Sequence, residues 1–296
     1  MARDRLHRGE LTLHDVPAAT AVGSSAHYAD PAYYTKTYKK RDEDVRFYRR
    51  LCRAAKGPVL EYGVGNGRIA LPVARSGVEV VGVDLSRPML ADLSKQLEKE
   101  PAAVQLRVQL VHGDMRRVRL KRRFPLVIAP FNTILHLYER KDVEDFFARV
   151  REHLTPRGRF VFDFSLPRPR DLVFDENRRY KAPRFRHPTT GELTHYSERF
   201  EYDVLRQILL VSMEFKAAKA ERSRSGRGLT TTALTHRQFF PQEMEALLHY
   251  NGFSGLEWSA DFSDDEPDQD ADSLIVSGRL ARPSSAKKPR KKRSKR

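Results

Sequence analysis

The stretch "VLEYGVGNGRIALPVARSGVEVVGVD", residues 59–84, sets three glycines at alternate positions, Gly63, Gly65 and Gly67, between two apolar runs. A strand that ends in closely spaced glycines and continues into a helix makes a turn whose amides approach a ligand with no Cβ in the way. The second run stops on an acid, Asp84, 21 residues beyond Gly63. At the end of a second strand such a carboxylate can accept both hydroxyls of a ribose. Together these residues specify an adenosine-containing cofactor at the carboxyl edge of a sheet, without saying which one. A dinucleotide motif requires G-x-G-x-x-G. Here the spacing is G-x-G-x-G, and Arg68 holds the place of that motif's third glycine.

The elements that must position these residues alternate. "PVLEY", "VEVVGVD", "VQLVHGD", "FPLVIAPF" and "RFVFDF" are short β-branched or aromatic runs that read as five strands. Between them "GRIALPVARSG", "SRPMLADLSKQLEKE" and "KDVEDFFARVREHLTPRG" carry helical patterning, with Ser86 as an N-cap and Pro88 in the first turn of the second. Strands alternating with helices indicate a parallel sheet covered on both faces with right-handed crossovers. Upstream, Val45, Tyr48, Leu51 and Cys52 recur at helical spacing and stop at Gly57-Pro58. After Phe164 the rhythm changes to apolar-aromatic stretches around "YDVLRQ" and a threonine-rich "LTTTALTHRQFF", which predict an antiparallel insertion over one end of the sheet. "PQEMEALLHYNGF" returns to a helix, and "GLEWSADF" with "DSLIVSGRL" reads as a closing hairpin.

The pattern E-x-G-x-G-x-G resembles motif I of the class I S-adenosylmethionine (SAM)-dependent methyltransferases. "VDLSRPML", "GDM", "LVIAPFNTILHL" and "LTPRGRFVFDF" resemble that family's later motifs in the same order over residues 58–165. The resemblance implies an α/β fold with a Rossmann-like, seven-stranded, mostly parallel sheet and helices on both faces, plus a small antiparallel insertion after strand five. Divided accordingly, the chain has a flexible N-terminal arm (1–27), a SAM-binding core (28–165), a substrate-covering insertion (166–240), a completion of the core (241–281) and a disordered basic tail (282–296). The resemblance also assigns roles. Gly63 and Gly65 approach the methionine moiety with Glu61 near its ammonium, and Asp84 takes the ribose. Leu85 and Met89 flank adenine, while Asp114 accepts from its amino group and Met115 donates an amide. Tyr33, Ala129 and Phe131 complete the expected cofactor contacts.

"YYTKTY", "NTILHL" and the insertion look like small-molecule N-methyltransferases, including those acting on amino sugars. In such relatives a tyrosine and a histidine flank the acceptor; carried over, they are Tyr38 and His136, with Tyr33 and Tyr34 as competitors for the first place. His236 and Arg237 can reach the same pocket from the insertion. The implied activity is methyl transfer from SAM to a nitrogen or oxygen of a small molecule. Alternatives are an RNA or protein methyltransferase and a non-catalytic SAM-binding protein.

Composition sets the remaining bounds. In 296 residues there is one cysteine, Cys52, which excludes an internal disulfide and a cysteine-rich metal site. The sequence has no run of ~18 apolar residues and no secretory-type start, so a cytoplasmic, non-membrane protein is expected. The formal charge is +16, but the last fifteen residues, "RPSSAKKPRKKRSKR", hold nine Lys or Arg and no acid, leaving +7 on the rest. Such a run is expected to be a solvated tail with, at most, weak nonspecific affinity for nucleic acid.

Overall fold

The computed structural model describes residues 16–169, 172–173, 175–218, 229–263 and 265–281. Its centre is a seven-stranded sheet in the order β10-β11-β5-β4-β1-β2-β3. β1 (Val59–Tyr62), β2 (Val80–Asp84), β3 (Val108–His112), β4 (Phe124–Ala129) and β5 (Leu154–Ser165) run parallel. The order reverses at β1, so the carboxyl ends of β1, β2 and β4 border a crevice where an open α/β sheet binds ligands.

Pleating divides β1 between two cores. Leu60 and Tyr62 face a cluster that includes Phe146, Phe147 and Val150 of α7 (Arg140–His153) and Met244 and Leu248 of α8 (Pro241–Tyr250). Val59 faces the opposite cluster, with Tyr48 and Cys52 of α3 (Glu43–Ala54), Val73 of α4 (Ala70–Arg75) and Leu93 of α5 (Arg87–Leu97). With helices on both faces, the strands can be apolar throughout, which is why they lack alternation. α5 starts as the sequence indicates: Ser86 Oγ accepts from the Met89 amide, with Pro88 in the first turn. β10 (Phe253–Ala260) and β11 (Ser273–Leu280) form the antiparallel hairpin that completes the sheet edge.

The insertion is a separate antiparallel sheet, β6-β7-β8-β9, built from Tyr180–Arg186, Leu193–Asp203, Ile208–Ala217 and Leu229–Arg237. Two expectations need correction. Residues 16–27, read as part of a loose arm, instead form α1 (Val16–Gly23) and the start of a 3-10 turn (Ala26–Ala29), followed by α2 (Pro31–Tyr38). α1 packs on β9 so closely that a Cβ on Gly23 would lie 2.8 Å from the Thr235 amide nitrogen. Its apolar content was too short to show a period, and its partner strand lies some two hundred residues away. The second correction is at β5, which begins at Leu154, directly after α7, so "LTPRG" belongs to the strand rather than to a helix stop. The tail 282–296 lies outside the described residues.

Candidate active site

A cavity of about 1300 Å³ lies between the carboxyl edge of the main sheet and the antiparallel insertion. Its walls include Gly63, Gly65, Asp84, Leu85, Met89, Asp114, Met115, Phe131 and His136. Nine residues singled out from sequence therefore converge on one space.

The glycine turn is left-handed at Gly63 (φ 68°) and Gly65 (φ 54°). A Cβ on Gly63 would sit 2.4 Å from Thr133 Oγ1, and one on Gly65 would sit 3.3 Å from Met89 Cε. The glycines thus admit the loop after β4 and the helix after β2 to the same small volume. Asp84 ties the two strand ends together: Oδ2 accepts from the Gly65 amide (2.7 Å) and Oδ1 from the Ser86 amide (2.7 Å). Each oxygen keeps a lone pair that a ribose hydroxyl can use. Burial raises the Asp84 pKa, and these two amides only partly oppose it.

Asp114 is less open. Arg116 donates to both its oxygens through Nε and Nη2 and also reaches Asp142 through Nη1. Burial alone would raise the Asp114 carboxyl, but Arg116 outweighs it and holds the group below its ordinary value. Glu61 does not reach the cavity wall. The pleat that sends Tyr62 toward α7 sends Glu61 the other way, toward α3 and α4, and the residue is buried. Its Oε2 has no hydrogen-bond partner, and burial pushes its pKa well up despite the nearby Arg68.

Ala129 is likewise buried at the end of β4, away from the wall. Tyr33 also misses the cavity; its ring packs among Phe185, His187 and Phe215 of the insertion. Tyr38 stands one layer behind the wall, with its hydroxyl 3.2 Å from His27 Nε2 and its ring edge-on to Phe131 at 4.9 Å. Tyr34, held as a competitor, does line the cavity, as does Arg237. His236 stacks edge-on against His136 at 5.1 Å without joining the wall.

Tyr28 and Tyr138 are the side chains that the sequence did not disclose. Both line the cavity and both bond His136. Tyr138 Oη donates to the Thr235 carbonyl (3.1 Å), so it accepts from His136 Nδ1 (3.3 Å), and Nε2 is left to accept from Tyr28 Oη (2.7 Å). Burial, with His27 nearby, lowers the His136 pKa to about 4, so the ring is neutral. Burial raises the Tyr28 pKa, so its hydroxyl keeps its proton. Tyr28 stands just before the Asp30-Pro31 helix start, and only folding brings it to His136, 108 residues away.

Below this aromatic wall the loop after β4 holds two consecutive residues in the left-handed region, Phe131 (φ 56°) and Asn132 (φ 61°). Non-glycine residues adopt this conformation at a cost that surrounding bonds must offset. Asp163 supplies them, accepting from the amides of Phe131 (2.8 Å) and Asn132 (3.3 Å) and from Tyr48 Oη (2.6 Å). Arg68, in the place where a dinucleotide motif has glycine, pairs with buried Asp44 and lies 4.4 Å over the Phe131 ring.

Comparison with known proteins agrees with this architecture. A family model described as "Methyltransferase domain" matches residues 59–158. A methyltransferase of Geobacillus sp. (strain WCH70) is 26% identical over 221 residues, 73% of this chain and 82% of its own. The dTDP-3-amino-3,6-dideoxy-alpha-D-glucopyranose N,N-dimethyltransferase of Streptomyces fradiae is 30% identical over 128 residues, 43% of this chain and 47% of its own. Among solved structures, the CcbJ methyltransferase from Streptomyces caelestis superposes with a TM-score of 0.69 at 27% identity, covering 82% of this chain and 98% of that one. With the sheet order, the glycine turn and the carboxylate at the end of β2, these likenesses support a SAM-dependent methyltransferase, with the methyltransferase domain matched over residues 59–158.

Proposed function

We propose that this enzyme methylates a nitrogen of a small molecule held between Tyr28, Tyr34, Phe131, His136 and Tyr138. The observation that carries the reading is the cavity in which the glycine turn and Asp84 meet an uncharged tyrosine-histidine wall under the insertion. The residues at one end fit the cofactor: a Cβ-free turn, a buried carboxylate with free lone pairs, and Leu85 and Met89 beside them. When bound, SAM supplies a methyl group on a sulfonium, which is an excellent leaving group. The chain's own residues then need chiefly to orient the acceptor, and orientation alone can contribute roughly 7–11 kcal/mol.

Nitrogen is favoured over oxygen by the state of His136. With a pKa near 4 it is a weak base, poorly matched to removing a hydroxyl proton at neutral pH. A neutral amine needs no such base before attack. Burial among uncharged rings also favours the neutral amine over its ammonium form. The relatives that act on small molecules support this reading: the Streptomyces fradiae protein is named for an amino sugar. In this reading Glu61, buried away from the cavity, makes no contact with the cofactor, and the tail is dispensable. A cytoplasmic location completes it; no helix among the described residues is long and apolar enough to cross a membrane.

The test is transfer of a labelled methyl group from SAM in an extract of cells lacking the protein. Label in the small-molecule fraction, on nitrogen, is expected. Label only in RNA or protein would overturn the reading in favour of a macromolecular substrate.

A further inference from the structure

Among the exposed large apolar side chains, Leu85 (61% exposed) and Leu205 (89%) are the two that line the cavity. Leu85 stands beside Asp84, at the end assigned above to the cofactor. Leu205 stands on the turn between β7 and β8, and its neighbour Val204 is 71% exposed.

That turn is not a loose flap. Asp203 Oδ1 accepts from the amides of Leu205 (3.0 Å) and Arg206 (2.9 Å), and its Oδ2 accepts from Arg206 Nη1 (2.8 Å). Gln207, in the left-handed region at φ 55°, closes the turn. Its carbonyl accepts from the Gln238 amide (2.7 Å), and its Oε1 accepts from Arg237 Nη2 (2.5 Å). Arg237 in turn donates to the Tyr138 carbonyl (3.2 Å), beside the His136 network. The backbone therefore holds a leucine in water at the rim, while Ile208, next along the wall, is buried. An apolar step runs outward from the acceptor wall, fixed in place and uncovered by any part of the described chain.

The space agrees. A cavity of about 1300 Å³ exceeds the ~300–1,000 Å³ usual for one small ligand, as a space that takes cofactor and acceptor together must, and its lining reaches Leu205 and Ile208. We propose that the β7–β8 turn is a specificity-determining rim, and that the acceptor carries an apolar chain or ring, remote from the methylated nitrogen, that packs on Leu205 and Ile208. The inference rests on the small-molecule amine reading above and adds the character of the acceptor's far end.

The test uses calorimetry on the full chain saturated with the demethylated cofactor, titrated with butylamine and with octylamine. Octylamine should bind at least tenfold more tightly, since each buried methylene contributes about 0.8 kcal/mol. Leu205→Ser, on an exposed turn, should cut that ratio to about threefold or less with cofactor affinity unchanged. Leu106→Ser, at a leucine just as exposed but outside the cavity (87%), should leave the ratio intact. Equal affinity for the two amines, no binding of either, or a ratio indifferent to Leu205→Ser would overturn the proposal. A wild-type chain that fails to bind the cofactor would instead sink the underlying assignment.

Discussion

The hydroxyl of Tyr28 lies 2.7 Å from Nε2 of His136, joining residues 108 positions apart on the wall of the cavity. The same segment touches the cofactor end, where Ser86 Oγ donates to the Tyr28 carbonyl at 3.4 Å. Tyr28 is therefore placed to orient the histidine ring with respect to both substrates. Tyr38, which the sequence favoured, meets His27 instead.

This relationship gives the first prediction. Tyr28→Phe should lower kcat about three- to tenfold, the worth of one hydrogen bond of roughly 0.5–1.5 kcal/mol, with SAM affinity nearly unchanged. Tyr38→Phe should change kcat less than twofold. Steady-state kinetics beside calorimetry separates the two; a larger loss from Tyr38→Phe would restore Tyr38 to the acceptor site.

Asp84→Ala should weaken SAM by roughly 1.5–3 kcal/mol, the range for bonds to a charged acceptor. The variant also frees the Gly65 and Ser86 amides, so its melting temperature must be measured alongside the titration. A folded variant that binds SAM as the wild type does would remove Asp84 from the site.

The neutral state of His136 sets a pH dependence. Its unfolded imidazole titrates near 6.5, and in the folded chain it titrates at about 4. Between those values only the unfolded chain takes up the proton, so the residue costs stability as pH falls from 7 to 5. Asp163, raised to about 6 by burial, works in the opposite direction but is common to wild type and variant. His136→Gln should therefore gain about 2 kcal/mol relative to wild type between pH 7 and pH 5. Urea midpoints at the two pH values measure it, and parallel curves would show that His136 is not held neutral.

Deletion of residues 282–296 should leave turnover on the small-molecule acceptor within about twofold. Those nine positive charges should bind single-stranded RNA at low salt. If every one met a phosphate, log affinity would fall with log salt at a slope of around −6. A tenfold loss of methyl transfer on truncation would favour a macromolecular acceptor.

What the sequence alone determined was local or periodic. The glycine turn needs left-handed backbone at Gly63 and Gly65, and few other residue types adopt it, so chemistry and spacing reveal it together. Asp84, Leu85 and Met89 follow because strand and helix periods carry the chain back to the same sheet edge. Likewise the change of rhythm after Phe164 marks a second sheet. The tertiary structure decided which tyrosine faces the acceptor, since Tyr28, Tyr33, Tyr34 and Tyr38 lie within eleven residues and differ only in where two short helical segments turn them. It decided that Glu61 points away from the cavity, a consequence of which face of β1 the pleat assigns to α3 and α4. Above all, it brought Thr235 of the insertion against Gly23, Tyr138 against Thr235, and Tyr28 against His136. Packing between segments some hundred residues or more apart leaves no period or spacing in the chain to read.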